Sequence, residues 1–143
     1  MKNEFVNYEM ALALKELGFN EPCFTYYYNV TGKLRTNISV DIDNGWTYFP
    51  NKKSITLAPT FSQAFRFFSE NHGLDYSIIP YSEFIENNSL KIFNAVIYRY
   101  YKNMNVQAEI IRIHGEIASF VNKNQLELVI LQKMIETIKN KLV

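Results

Sequence analysis

The chain has 143 residues, the length of a single domain, with 48% hydrophobic and 20% charged residues. This balance argues against a disordered chain, and no run approaches the roughly 18 apolar residues of a membrane span. Fifteen basic and fourteen acidic residues leave a formal net charge of +1, which disfavours a protein that tracks phosphates. We therefore expect one globular domain, residues 1–143, that is not associated with a membrane.

The start of the chain and its single cysteine bear on the compartment and on metal binding. The stretch MKNEFVNYEM carries acids early and has no apolar core of signal-peptide length. Cys23 has no second cysteine for an intrachain disulfide or a multi-cysteine zinc site. We expect the protein to remain in the cytoplasm of the cell that makes it, and we predict no metal and no cofactor.

The first predicted element is a helix over residues 8–17, where apolar residues recur at helical spacing. Asn7 precedes it as an N-cap, and Gly18 follows it as the residue that ends the helix. This ending makes Leu14 and Phe19 the apolar pair of a Schellman motif.

Two β-rich runs follow Pro22, and the turn residue Gly32 between them predicts a hairpin. Side chains alternate between the two faces of a strand, so Phe24, Tyr26 and Tyr28 are predicted to share one side. A second turn is predicted at Asn44-Gly45 in the segment DIDNGWTYFP.

The stretch APTFSQAFRFF predicts a second helix, over residues 61–71. Thr60 as N-cap and Gln63 three residues later form a capping-box pattern. At 100° per residue, three phenylalanines fall on one stripe and are predicted to be buried: Phe61, Phe65 and Phe68. Arg66 is predicted to be exposed on the opposite side, and Phe67, at the edge of the stripe, to be partly buried.

The segment after Gly73 is predicted to contain strands. DYSII predicts a short strand, YSEFIENNS a turn-rich connection and LKIFNAVIYRYY a longer strand. NVQAEIIRIHGEIASF fits neither period cleanly, and we favour a strand over a helix there. A helix over residues 123–140 closes the chain, with an apolar face that is predicted to be buried: Leu131, Met134, Ile135 and Ile138. The order of elements predicts an α+β fold, an antiparallel sheet with helices packed mainly on one face.

Three segments together carry a family resemblance: LALKELGFNEPCF, APTFSQAFRFF and LQKMIETIKNK. The chain resembles small, functionally uncharacterised proteins found in Bacteroidales genomes and in the phages and prophages of those bacteria. The resemblance covers roughly the first half and the last twenty residues. It implies the setting of an accessory gene of a phage or mobile element, inside a bacterial host cell, and it assigns no catalytic residue.

Candidate catalytic and metal-binding groups are few. Asp41 and Asp43 occupy the first and third places of a calcium-loop pattern, but Trp46 and Lys52 replace its required Gly and Glu. His72, at a predicted helix end, is expected to act as a cationic partner of the last carbonyls.

Cys23 and His114 form the only thiol and imidazole pair that we considered as a nucleophile and its base. Cys23 precedes an aromatic strand and not a helix N-terminus, where thiolates are commonly stabilised. A structural role for both residues is favoured.

The better candidates lie on the aromatic strands FTYYY and VIYRYYK. Tyrosines on an open sheet face beside cations can stack on a ligand ring or a base. The predicted binding residues are Tyr26, Tyr28, Tyr98, Arg99 and Lys102. We expect a non-catalytic protein that binds a host or phage macromolecule, with a protein partner favoured. The alternatives are a small hydrolase or nucleotide-processing enzyme and a single-stranded nucleic-acid-binding module, although the net charge disfavours nucleic acid.

Overall fold

The computed structural model describes residues 4–36, 40–41, 45–46, 53–85, 88–99, 111–113 and 123–142. These residues form an α+β fold with all strand pairs antiparallel. In chain order the elements are α1 (Tyr8–Glu16), β1 (Thr25–Tyr28), β2 (Lys33–Thr36), β3 (Val40–Asp41), β4 (Gly45–Trp46), β5 (Ile55–Leu57), α2 (Phe61–His72), β6 (Leu74–Ile85), β7 (Asn88–Arg99), β8 (Ile111–Ile113) and α3 (Lys123–Leu142).

The strands of the described residues are divided among three sheets, where the sequence predicted one. The strand orders are β2-β1-β5, β3-β4 and β6-β7-β8. The chain groups into two compact units, residues 1–64 and 65–143, with the boundary inside α2. The sequence could not anticipate this division, because strand periodicity identifies strands without stating which of them pair.

Both predicted ends of α1 are confirmed. The Asn7 side chain accepts a hydrogen bond from the Met10 amide at 2.9 Å. At the other end Gly18 has a φ of 93°, and the Phe19 amide donates to the Leu14 carbonyl at 2.9 Å. Leu14 and Phe19 are both buried, so the apolar contact expected of a Schellman ending has its two members in the core.

The first sheet packs α1 against the inner face of β1. Tyr27 lies on this face, with its ring centroid 5.3 Å from that of Tyr8 in α1. The Tyr27 hydroxyl donates to the Val6 carbonyl at 2.8 Å. Thr25, on the same face, donates from its hydroxyl to the Ala58 carbonyl at 2.7 Å. These bonds satisfy the polar atoms of side chains that the alternation of the strand turns inward.

The capping box of α2 is confirmed in both directions. The Gln63 amide donates to the Thr60 hydroxyl at 3.2 Å, and the Thr60 amide donates to the Gln63 side-chain oxygen at 3.1 Å. Phe61, Phe65 and Phe68 are buried as predicted, and Arg66 is exposed.

The prediction for Phe67 is wrong. Its side chain is only 4% exposed. The ring meets Phe68 with centroids 5.6 Å apart and His72 with centroids 5.1 Å apart, both in edge-on geometry. The helical wheel assumed that only the side of α2 with Phe61, Phe65 and Phe68 is buried. In the structure the buried part of the helix surface is wider and includes Phe67.

The turn-rich connection predicted for residues 81–89 is also wrong, because β6 continues through Ile85 and β7 begins at Asn88. The two strands pair over their whole length, from Leu74 opposite Arg99 to Ile85 opposite Asn88. Polar residues and Pro80 mask the strand signal in the sequence. Long cross-strand pairing can retain such residues where local propensity alone would end the strand.

Helices cover one face of the second unit's sheet. Leu74, Ala95 and Ile97 are buried on this face, where Phe65 of α2 lies 4.2 Å from the Tyr76 ring, centroid to centroid. β7 also contacts α3. The apolar face of α3 is buried as predicted at Leu131, Met134, Ile135 and Ile138.

Candidate functional site

The outer face of β1 presents three aromatic side chains. Phe24 is 53% exposed and Tyr28 43% exposed, and Tyr26 between them is partly exposed, whereas Thr25 and Tyr27 are buried. The alternation that the sequence predicted is therefore confirmed. Phe24, Tyr26 and Tyr28 form what we call the aromatic face.

Cations of β2 lie directly across from this face. The register pairs Tyr26 with Arg35 and Tyr28 with Lys33. Opposite residues of an antiparallel pair project from the same side of the sheet, so each tyrosine has a cationic neighbour there. The sequence analysis named neither Lys33 nor Arg35. Counting residues outward from the turn along both strands would have placed these two cations opposite the tyrosines.

Asn29 ties the hairpin turn to β5. Its side-chain amide donates to the Lys53 carbonyl at 2.8 Å, and its side-chain oxygen accepts from the Thr56 hydroxyl at 2.8 Å. The turn closes on the Tyr28 carbonyl, which accepts from the Gly32 amide at 2.8 Å. Two side-chain hydrogen bonds of Asn29 hold the turn against the β5 side of the sheet, so Tyr28 and Lys33 have defined positions.

The aromatic face is limited to the β1 and β2 side of the sheet. Ile55 and Leu57 of β5 pair with Tyr28 and Tyr26, yet both are buried. Val30, in the turn beyond Tyr28, is 82% exposed. The exposed apolar area therefore runs along β1 and around its turn.

The other predicted binding residues lie elsewhere. Tyr98 and Arg99 belong to β7, in the second compact unit, whereas Tyr26 and Tyr28 belong to the first. Tyr98 pairs with Asp75 and Arg99 with Leu74, so the two neighbours project from opposite faces of their sheet. Lys102 lies outside the described residues. The four described residues among the five are thus divided between the two compact units.

The pKa of His72 is shifted against the positive charge that was expected at this helix end. Burial, and then the charge of Arg99, lowers the pKa of the imidazole below its ordinary value. The ring packs against Phe67 and Phe68 at the end of α2. The direction of this pKa shift favours the neutral form and does not support the expected role of a positive imidazole at the last helix carbonyls.

Cys23 lacks the features of a nucleophile. Burial, and then the nearby charge of Glu21, raises the pKa of the thiol to about 12. The thiol donates weakly to the Glu21 carbonyl at 3.4 Å. The thiol is therefore protonated at neutral pH. His114, the imidazole considered as its base, lies outside the described residues.

Among the described residues, no group of three or more His, Cys, Asp or Glu side chains could hold a metal ion. None of the helices described is long and apolar enough to cross a membrane. Comparisons with known protein families, with curated proteins and with solved structures find no match to this chain.

Proposed function

We propose that the protein acts without catalysis, by binding a protein partner through the aromatic face. We also propose, from the sequence resemblance, that it is an accessory protein of a phage or mobile element and works in the cytoplasm of a Bacteroidales host. The observation that carries the binding proposal is the arrangement of β1 and β2. Exposed aromatic rings stand on one side of β1, and Lys33 and Arg35 stand across from them.

The side chains of this face are the types that anchor protein interfaces. Tyrosine and arginine are enriched among the residues that contribute most binding energy, because each combines a large contact area with polar groups at its tip. Phe24 and Val30 add exposed apolar area beside them. Such area, held on a well-paired hairpin, is available to a partner at little cost in conformational entropy.

The charge of the hairpin indicates the chemistry of the partner. Residues 22–36 contain Lys33 and Arg35 and no acid, although the whole chain is nearly neutral. A complementary partner surface would place acidic side chains around an apolar centre. Lys53, whose carbonyl accepts from Asn29, extends the positive charge near the turn.

Binding to a partner identified from a host lysate tests this proposal. We expect a bacterial or phage protein to be retained by the wild type and lost with Tyr28→Ala and with Arg35→Glu. Arg66→Glu is the matched control, because Arg66 is also an exposed arginine but lies on α2. With purified components, Tyr28→Ala should weaken binding by about 2 kcal/mol or more if it is a central anchor. Equal binding by Arg35→Glu and Arg66→Glu would show that this face is not the contact.

Salt dependence separates the protein partner from single-stranded nucleic acid. Stacking on aromatic side chains with neighbouring cations also suits single strands. Their binding would weaken steeply and log-linearly with added salt, because phosphate contacts release counterions. Titrating a labelled single-stranded oligonucleotide at several salt concentrations gives this slope. Tight, steeply salt-dependent binding that Arg35→Glu removes would replace the protein partner with nucleic acid.

A further inference from the structure

A second candidate site, in the unit formed by residues 65–143, has buried side-chain nitrogen atoms without hydrogen-bond partners. Arg99 is the last residue of β7 and pairs with Leu74, which begins β6 just after α2 ends at His72. Its Nε and Nη2 atoms are buried and have no hydrogen-bond partner in the described structure. The Nε2 atom of His72 is buried and unpartnered in the same way.

The two unpartnered atoms of Arg99 lie on one edge of its guanidinium group. Nε–H and the adjacent Nη2–H point in nearly parallel directions in the plane of that group. This edge matches the spacing of two oxygens of a carboxylate or a phosphate, which it binds with two parallel hydrogen bonds. The two nitrogen atoms therefore form a bidentate donor that has no acceptor among the described residues.

The described residues around Arg99 do not provide that acceptor. Asp75 pairs with Tyr98 and so projects from the opposite face of the sheet, and its side chain accepts from the Tyr76 amide at 2.8 Å. The His72 ring contacts the rings of Phe67 and Phe68. Buried guanidinium nitrogens without an acceptor are unfavourable, whereas the same nitrogens bound to an anion form strong charge-assisted hydrogen bonds.

His72 adds a third group that can point at the same ligand. Leu74, which pairs with Arg99, is only two residues after His72, so the two side chains belong to the same end of the sheet. In agreement, the positive charge of Arg99 contributes to lowering the pKa of this imidazole. A neutral imidazole that carries its proton on Nε2 donates one hydrogen bond from that atom. The rings of Phe67 and Phe68 beside the imidazole lower the local polarity, which strengthens a hydrogen bond to an anion.

We propose that Arg99 and His72 form a binding site for an oxyanion, the carboxylate or phosphate group of a ligand. Nε–H and Nη2–H of Arg99 hold two of its oxygens, and Nε2 of His72 donates to the ligand. The site consists of residues of the second compact unit, whereas the aromatic face belongs to the first, and it does not depend on the function proposed for that face.

Anion titration of the full chain tests the site, with the His72 ring resonances in NMR as the readout. The probes are inorganic phosphate, acetate and chloride, at constant pH and ionic strength. We expect saturable shifts of the His72 resonances with phosphate or acetate and none with chloride. A stronger response to phosphate would identify a phosphate-bearing ligand, and a stronger response to acetate a carboxylate-bearing one. Equal shifts with all three anions, or none with any, would overturn the proposal.

Variants separate the geometry of the guanidinium from its charge. Arg99→Lys keeps the positive charge but loses the two-pronged edge, and should weaken anion binding at least about tenfold. Arg66→Lys, an exposed arginine on α2, is the matched control and should leave binding unchanged. Should Arg99→Lys fail to fold, His72→Gln provides a second variant, followed by the anion-dependent rise in Tm. Undiminished anion binding by whichever Arg99 or His72 variant folds would contradict the site.

Discussion

Residues 24–28, which comprise β1 and the residue before it, and residues 61–68 in α2 each hold four aromatic side chains, and the fold uses them differently. Of the first four only Tyr27 is buried, while Phe24 and Tyr28 are 53% and 43% exposed. In the helix all four phenylalanines are buried, including Phe67 at the edge of the stripe. Aromatic density in a sequence therefore does not by itself indicate a binding surface. Two factors decide which rings remain exposed: the side-chain periodicity of the helix or strand, and how much of its surface packs against other elements.

The largest effects should come from the helix. Phe68→Ala or Phe65→Ala removes a buried ring that its neighbours cannot fully replace, and should lower the free energy of unfolding by about 3 to 5 kcal/mol. Denaturant unfolding measures this loss. Ser62→Ala, at an exposed position of the same helix, is the control and should change stability little. A small loss of unfolding free energy for Phe68→Ala would contradict the conclusion that the helix buries its aromatic rings while the strand exposes most of its own.

Phe67→Ala tests how far the cover of α2 extends. Since Phe67 is 4% exposed and its ring meets both Phe68 and His72, we expect a loss close to that of Phe65→Ala. The same denaturant measurement, made side by side with Phe65→Ala, compares them directly. A loss several-fold smaller would return Phe67 to the intermediate position that the helical wheel predicts.

Tyr27→Phe tests the inward side of the strand. The change retains the ring but removes the hydroxyl that donates to the Val6 carbonyl, leaving a buried acceptor without that partner. We expect a loss of about 1 to 2 kcal/mol in the free energy of unfolding. Partner binding at the aromatic face should stay intact, because the hydroxyl lies on the opposite side. If Tyr27→Phe lost partner binding but kept its free energy of unfolding, the assignment of Tyr27 to the core side and of Tyr28 to the binding side of β1 would be wrong.

Tyr28→Ala is the matching test of the outward side. The side chain is 43% exposed, so its removal should change the free energy of unfolding by less than about 0.5 kcal/mol. The prediction is a near-wild-type Tm combined with weaker binding of the partner. A loss of stability as large as that of Tyr27→Phe would mean that Tyr28 supports the hairpin and is not reserved for binding.

The smallest effect at neutral pH concerns Cys23, just before the aromatic strand. The folded-state pKa of about 12 lies above the ordinary value of 9.0, so folding keeps the thiol protonated. Its contribution to stability is present below pH 9 and is lost as the pH rises from about 9 towards 12. Iodoacetamide should label the native thiol far more slowly than the urea-unfolded thiol at pH 9, because only the thiolate reacts. Equal rates in the two states would mean an exposed, ordinary cysteine.

Local signals predicted the elements well where a few neighbouring residues decide the structure. Asn7 and Gly18 bound α1, and Thr60 with Gln63 begins α2, through hydrogen bonds that span three to five residues. The failures involve distant partners. Strand β6 runs through Pro80 because β7 pairs with it along twelve residues. The candidate sites show the same division, since the alternation of β1 was predictable but the buried, unpartnered nitrogen atoms of Arg99 and His72 were not.

By itself the sequence determined the α+β class, the helix boundaries and which side of β1 turns outward. These depend on capping bonds, turn residues and the periods of strand and helix, all of which act over a few residues. Only the tertiary structure decided that the strands form separate sheets, that Phe67 is covered, and that side-chain nitrogen atoms of Arg99 and His72 are buried without hydrogen-bond partners. Pairing, cover and burial depend on which distant segments meet, and local residue patterns carry no information about that choice.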